Sequence, residues 1–382
     1  MNSKRFRLTA TAAVLAMGLV ASASAQRVES GVSNGLQWTA QSLIIGVGST
    51  GGFDGGGEAR HFATSPNYNG VVALIMTYND IGSFICSGSL MPDRRSILTA
   101  AHCVTDGPTL RTPDVTTAYF YGGDDPDQRF NAGQFTPVVA SQYFVNSAYT
   151  GRVIDQNDIA VVRLGEAAPD WARSYELYDG DLSESTFNVA GYGGRSDIGG
   201  DFGTNQRTGF RRQGDNRFDF RFGDADFGGF WDGFFDSTNP ADPVAQYMDS
   251  WVSDFDNGLG ANDASCLVAA VTTVSNGTAT KFCNTGVGIR EVSVAGGDSG
   301  GPQFIFGQIA SVTSYGLSFG TGFGDIRSGL NSSFGEFNGF VPVHLHTDFI
   351  NASLVPEPET YALMALGLAA VGAVARRRRK AA

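Results

Sequence analysis

Glycine sets the strongest limit on what this chain can fold into. The sequence has 51 glycines in 382 residues, and most of them fall between short apolar runs such as FNVAGYG (187–193) and QIASVTSYG (308–316). Glycine gives up more backbone freedom than any other residue when it enters a helix, so runs this short between glycines read as strands and turns. Hydrophobic residues make up 42% of the chain, enough for one large core or two medium ones. The expected class is all-β.

Both ends read as sorting signals. The start, MNSKRFRLTATAAVLAMGLVASASAQ, joins a basic segment (Lys4, Arg5, Arg7) to an apolar stretch and a small-x-small end at Ala23–Ala25. It reads as a secretory signal peptide over residues 1–25, with a membrane anchor as the poorer reading because the apolar run is short. The other end, residues 355–382, is VPEPETYALMALGLAAVGAVARRRRKAA. It resembles the PEP-CTERM tail of Gram-negative envelope proteins: Val355-Pro356-Glu357-Pro358, an apolar segment over 361–375, and a basic cluster over 376–380. That apolar segment falls short of the roughly 20 residues of a stable span. With cations held on the cytoplasmic side, the resemblance implies a transient membrane association that ends when a sorting transpeptidase removes the tail. A plain terminal helix is disfavoured by the Pro-Glu-Pro before the segment and the five cations after it. The expected location is the cell envelope, the cell surface or the medium.

Without both signals the body carries 18 basic and 36 acidic residues, a net charge of −18. Such a surface argues against nucleic acid as a partner. Four cysteines (Cys86, Cys103, Cys266, Cys283) in an exported chain point to two disulfides, with three connectivities open. No tight Cys-x2-Cys or His-x3-His spacing supports zinc instead.

Three segments carry chemistry. SILTAAHCV (96–104) runs a strand into His102, and histidine is the usual general base near neutral pH. Read alone, His102 is equally a satisfied core histidine. QNDIAVVRL (156–164) puts Asp158 at the mouth of a strand, where a carboxylate can hold an imidazole ring, or can simply cap a turn. GGDSGGP (296–302) presents Ser299 between glycines, as a nucleophile or as a polar turn residue.

With CSGSL (86–90), LTAAHC (98–103), VAGYG (189–193) and SVTSYG (311–316), these segments resemble the trypsin/chymotrypsin-like serine proteases in the order His, Asp, Ser, over roughly residues 61–350. The resemblance implies two antiparallel β-barrels with the active site in the cleft between them. It implies that Ser299 is the nucleophile, His102 the general acid and base and Asp158 the orienting carboxylate, with the N–H groups of Gly297 and Ser299 as oxyanion hole. It implies disulfides Cys86–Cys103 and Cys266–Cys283. The base of the primary specificity pocket falls on Ser293, with Ser314, Tyr315 and Gly316 as further substrate contacts; an uncharged Ser293 implies a preference for apolar or aromatic side chains.

The expected organisation is a propeptide over 26–60, a protease domain over 61–354 and an insertion over 194–262 rich in Gly, Phe and Asp. The aromatic residues of the insertion are expected to form a small satellite core packed on the second barrel, with a surface facing substrate or partner as the alternative. Its aspartates invite calcium, but no stretch has the spaced D-x-D-x-D-G loop, so neither metal nor cofactor is expected. The family's activation implies a cut after Arg60 that frees an amine to pair with Asp298, although the usual Ile-Val-Gly-Gly is absent and the chain reads Arg60-His61-Phe62-Ala63. The function implied is a secreted endopeptidase acting on proteins or peptides; the alternative is a catalytically weak protease-like binding or adhesion module of the envelope.

Overall fold

The computed structural model describes residues 27–41, 58–107, 109–130, 133–274 and 279–354. The expected signal peptide and sorting tail lie outside the described residues, as does the stretch 42–57. Among the described residues no helix is long and apolar enough to cross a membrane.

The N-terminal segment forms a hairpin of β1 (Val28–Ser33) and β2 (Leu36–Gln41). The next six strands are β3 (Val71–Tyr78), β4 (Gly82–Leu90), β5 (Ser96–Thr99), β6 (Val115–Phe120), β7 (Thr136–Val145) and β8 (Ala160–Leu164). They close into an antiparallel barrel in the order β3-β4-β5-β8-β7-β6. Val, Ile, Leu and Thr dominate β3, β5 and β8, as half-buried or buried pleats require. The barrel interior is filled by Val72, Leu74, Leu90, Ile97, Ala160 and Val162.

The second half is built from β9 (Thr186–Gly191), β10 (Arg212–Arg217), β11 (Phe220–Arg221), β12 (Trp251–Asp254), β13 (Pro302–Ile305), β14 (Gln308–Ser318) and β15 (Phe337–Pro342). Their order is β10-β9-β13-β14-β15-β12-β11, with β2 joining β14 through Gly316↔Gln41, Leu317↔Ala40 and Ser318↔Thr39. The fold is all-β as expected, but this second barrel is open along one seam. Its two edge strands, β10 and β11, are separated in the chain only by Phe218 and Asp219, so the sheet curls until its ends adjoin without forming a ladder. Two short helices, α1 (Ala264–Thr272) and α2 (Thr347–Ser353), complete the frame.

The stretch 194–262, expected as an insertion, is built into the second half. It supplies β10, β11 and β12 to the second sheet. Its aromatic residues form no satellite: Phe220, Phe222, Phe227, Trp231, Phe234 and Phe235 are buried in one cluster with Trp38 of β2, Tyr315 and Leu317 of β14 and Phe337 of β15. Trp231 lies edge-on to Phe222, Phe227 and Phe234 at centroid separations of 5.2, 5.8 and 4.7 Å. Such edge-to-face pairs add roughly 0.5–1.5 kcal/mol each to the burial of the rings. The sequence shows no helical or alternating period here because glycine turns, not a regular element, bring the rings together.

Trp231 is fully buried and Phe306, on the β13–β14 turn, is 93% exposed. Trp231→Ala is therefore expected to destabilise the protein by about 3–5 kcal/mol in denaturant unfolding, and Phe306→Ala by less than about 0.5 kcal/mol. Equal effects would show that the aromatic stretch is not part of the core.

Candidate active site

His102 sits on a single helical turn, Ala101–Cys103, directly after β5. The next residue, Cys103, is joined to Cys86 of β4 by a disulfide, which ties this turn to the barrel. The second disulfide joins Cys266 of α1 to Cys283. Asp158 lies just before β8, in a turn held by the Asp155 carboxylate, which accepts from the Thr150 N–H, the Thr150 hydroxyl and the Asn157 N–H at 2.9, 2.6 and 2.9 Å. Burial pushes the Asp155 carboxyl up, and these three donors oppose the shift.

Ser299 comes from the second half, in the turn before β13. Its carbonyl accepts the Ser87 N–H at 2.9 Å, and the neighbouring Gly300 N–H donates to the Thr313 carbonyl at 2.8 Å. Gly300 has φ +75°, and a Cβ there would lie 2.0 Å from Thr99 Oγ1, so only glycine fits so close to the first barrel.

The two halves bring the three side chains into one chain of hydrogen bonds. His102 Nδ1 is 2.6 Å from Asp158 Oδ2, and His102 Nε2 is 2.5 Å from Ser299 Oγ. The His102 backbone N–H also donates to Asp158 Oδ1 at 2.8 Å. A carboxylate only accepts, so the proton of the neutral ring belongs on Nδ1, and Nε2 is left to accept the serine hydroxyl. Asp158 is 1% exposed, whereas the His102 side chain keeps 10%.

The expected substrate contacts are placed differently. Ser314, Tyr315 and Gly316 lie on β14 and are buried, as is Ser293. The Ser314 hydroxyl donates to Asp158 Oδ2 at 2.6 Å, so its side chain supports the aspartate from behind. The Tyr315 ring is turned into the aromatic core, its hydroxyl 2.7 Å from Ser250 Oγ. Ser293 donates to Asn338 Oδ1 at 2.8 Å. Any contact of Ser314 or Tyr315 with a substrate therefore falls to the backbone. Gly316 is already paired with Gln41.

Gly297 has φ +115°, in the region open to glycine. Asp298 is fully buried; its Oδ1 accepts the Gly193 N–H at 2.8 Å, and its Oδ2 meets no donor. Burial raises its carboxyl well above the usual range. Arg60 and His61 are not beside it. The Arg60 carbonyl accepts from Gln213 Nε2 at 2.5 Å and Arg290 Nη1 at 3.1 Å, and His61 is buried against Gln213.

Two supports have no counterpart in the sequence motifs. His346, before α2, donates from Nε2 to the Gln156 carbonyl at 2.8 Å, while its Nδ1 accepts from Asn146 Nδ2 at 3.1 Å. Burial lowers its pKa, which suits the neutral ring this bonding needs. Gln246 accepts the Gln156 N–H on its carbonyl at 2.6 Å, so the segment 194–262 reaches the turn that carries Asp158.

A closed barrel and a curled sheet meeting at a serine, a histidine and an aspartate define the trypsin-like architecture. Residues 61–208 match the Trypsin family model, and residues 354–380 match the PEP-CTERM protein-sorting motif. Residues 61–208 are thus similar to the Trypsin family, and the C-terminal residues carry a motif for export and sorting to the cell envelope. The Trypsin match includes His102 and Asp158 and ends before Ser299. Similar solved structures include HL collagenase, at 18% identity, 76% of this chain, 95% of the other and a TM-score of 0.44. Another is neuropsin, a serine protease expressed in the limbic system of mouse brain, at 14% identity, 77% and 99% coverage and a TM-score of 0.46. No curated protein matches the sequence.

Proposed function

We propose that the protein is an exported serine endopeptidase in which Ser299, His102 and Asp158 act as nucleophile, general acid-base and orienting carboxylate. The observation that carries this reading is the unbroken path from Ser299 Oγ through the His102 ring to Asp158. Ser299 Oγ attacks the scissile carbonyl carbon as His102 Nε2 takes its proton, and the oxyanion forms against the N–H groups of Gly297 and Ser299. The proton then passes to the leaving amine, the acyl-enzyme remains, and water attacks with His102 again as base. An uncharged Ser293, with its hydroxyl engaged by Asn338 and with Val294 and Ala295 after it, suits an apolar or aromatic side chain before the scissile bond.

On this reading residues 1–25 are a signal peptide, 26–60 a propeptide, 61–354 the protease and 355–382 a tail removed by a transpeptidase. The start of the Trypsin match at residue 61 supports the second boundary.

Ser299→Ala and His102→Ala are each expected to abolish nearly all cleavage of peptides with Phe, Tyr or Leu before the scissile bond, with the protein still folded, because the two side chains act as a unit. Asp158→Asn is expected to lower kcat by roughly 10²–10⁴-fold, the range in which positioned acid-base groups contribute. Undiminished activity in purified Ser299→Ala, or faster cleavage after Arg than after Phe, contradicts the corresponding part of the reading.

Activation follows from the unpartnered oxygen of Asp298. A cut after Arg60 frees an amine at His61 that supplies the missing donor. Phe62 bridges to Arg212, which pairs with Gly191, which abuts Asp298. Two strand spacings, about 10 Å, thus separate Phe62 from the carboxylate. The hairpin β1–β2 stays bound after such a cut, because Glu29 pairs with Arg152 at 2.9 and 2.8 Å and β2 is laddered to β14. N-terminal sequencing of active enzyme is expected to show two chains, one beginning at His61; the absence of that start overturns the model.

A further inference from the structure

In the second half of the chain five carboxylates are buried close together. Asp254 ends β12, Asp256 follows it, Asp263 caps α1, Asp219 lies between β10 and β11, and Glu291 precedes Ser293. Their exposures are 1, 5, 3, 8 and 7%. Ligand oxygens of Asp254, Asp256 and Asp263 all lie within 4.8 Å of one another. Two oxygens on one calcium ion, each about 2.3–2.6 Å from it, can be at most about 5 Å apart, so the three fit a shared cation.

Most of these groups are fixed by hydrogen bonds. Asp254 Oδ2 accepts the Ser265 N–H at 2.8 Å, and Asp263 Oδ1 accepts the Cys266 N–H at 2.8 Å as the helix cap. Asp219 accepts from Asn284 and from the Asp254 N–H, and Glu291 accepts the N–H groups of Asp256 and Val287. Asp256 is the exception. Neither of its carboxylate oxygens has a hydrogen-bond donor, although the residue is 95% buried. Leaving a buried carboxylate without a partner is costly, and fixing four others around it raises the cost.

We propose that Asp254, Asp256 and Asp263 bind a calcium ion, reached through the cavity that Asp256 and Glu291 line. The cavity measures about 550 Å³ and is also lined by Asn257 and Thr285, so of the three ligands Asp256 faces a space with room for water. Arg60 also lines it but is paired with Glu58. A ligand set made only of oxygens selects a hard cation, and crowded carboxylates in irregular array suit calcium better than magnesium, which requires near-octahedral geometry and keeps its water. The ion ties the end of β12 and the start of α1 to one another, beside the Glu291 segment that leads to Ser293.

The test is thermal unfolding of the full chain carrying Ser299→Ala, stripped with EDTA at pH 8 and titrated with calcium chloride, with magnesium chloride as comparison and calorimetry for stoichiometry. Calcium at a hundredfold its dissociation constant is expected to raise Tm by roughly 5–10 °C, with one ion per chain. Magnesium raises it less. Asp256→Asn and Asp256→Ala are expected to lose the calcium response while melting, in EDTA, no lower than the parent, since the Asp256 side chain makes no hydrogen bond to lose. A melting temperature that calcium does not move, a response kept by both variants, or an equal response to magnesium overturns the proposal.

Discussion

Asp158 holds the two halves of this molecule in register. Its carboxylate accepts the His102 backbone N–H and ring N–H from the first barrel and the Ser314 hydroxyl from β14 of the second. Burying a carboxylate costs several kcal/mol, and each hydrogen bond to a charged group returns about 1.5–3 kcal/mol. Three such donors offset that cost for a group that is 1% exposed. Any shift of β14 against the first barrel would remove one of them, so the aspartate links the relative position of the halves to the orientation of the imidazole.

The surrounding structure serves that alignment. His346 and Gln246 hold Gln156, two residues before the aspartate, and the disulfide Cys86–Cys103 holds the turn of the histidine. The aromatic cluster around Trp231 packs Tyr315 and Leu317 on β14, immediately after Ser314. The segment 194–262 is thus part of the frame: its rings back the strand that supports Asp158, and its Gln246 meets the turn that carries it.

The positions of His102, Asp158 and Ser299 were legible because each sits in a short local motif, a strand running into a turn, whose geometry is set by nearby residues. That the Ser314 side chain turns to Asp158 is not legible in the sequence, because β14 is buried on both faces and carries no alternation to say which way a side chain points. The direction of Tyr315 is hidden for the same reason, and the bond of Ser293 to Asn338 joins residues 45 apart. The aromatic stretch gave no period, so its strands β10 to β12 went unseen, and the open seam of the second barrel depends on a two-residue link that no motif marks. His346 and Gln246 lie 190 and 90 residues from Gln156, a distance at which only the fold can pair them. The carboxylate cluster is likewise tertiary: its five members come from the end of β12 and the residues after it, the link between β10 and β11, the cap of α1 and the loop before Ser293.

The most direct measurement is labelling of the purified protein with a fluorophosphonate that reacts with activated serines, followed by mass spectrometry of the modified peptide. The geometry predicts stoichiometric modification at Ser299, and loss of labelling when His102 is replaced by alanine. Labelling at another serine, or equal labelling without His102, would contradict it.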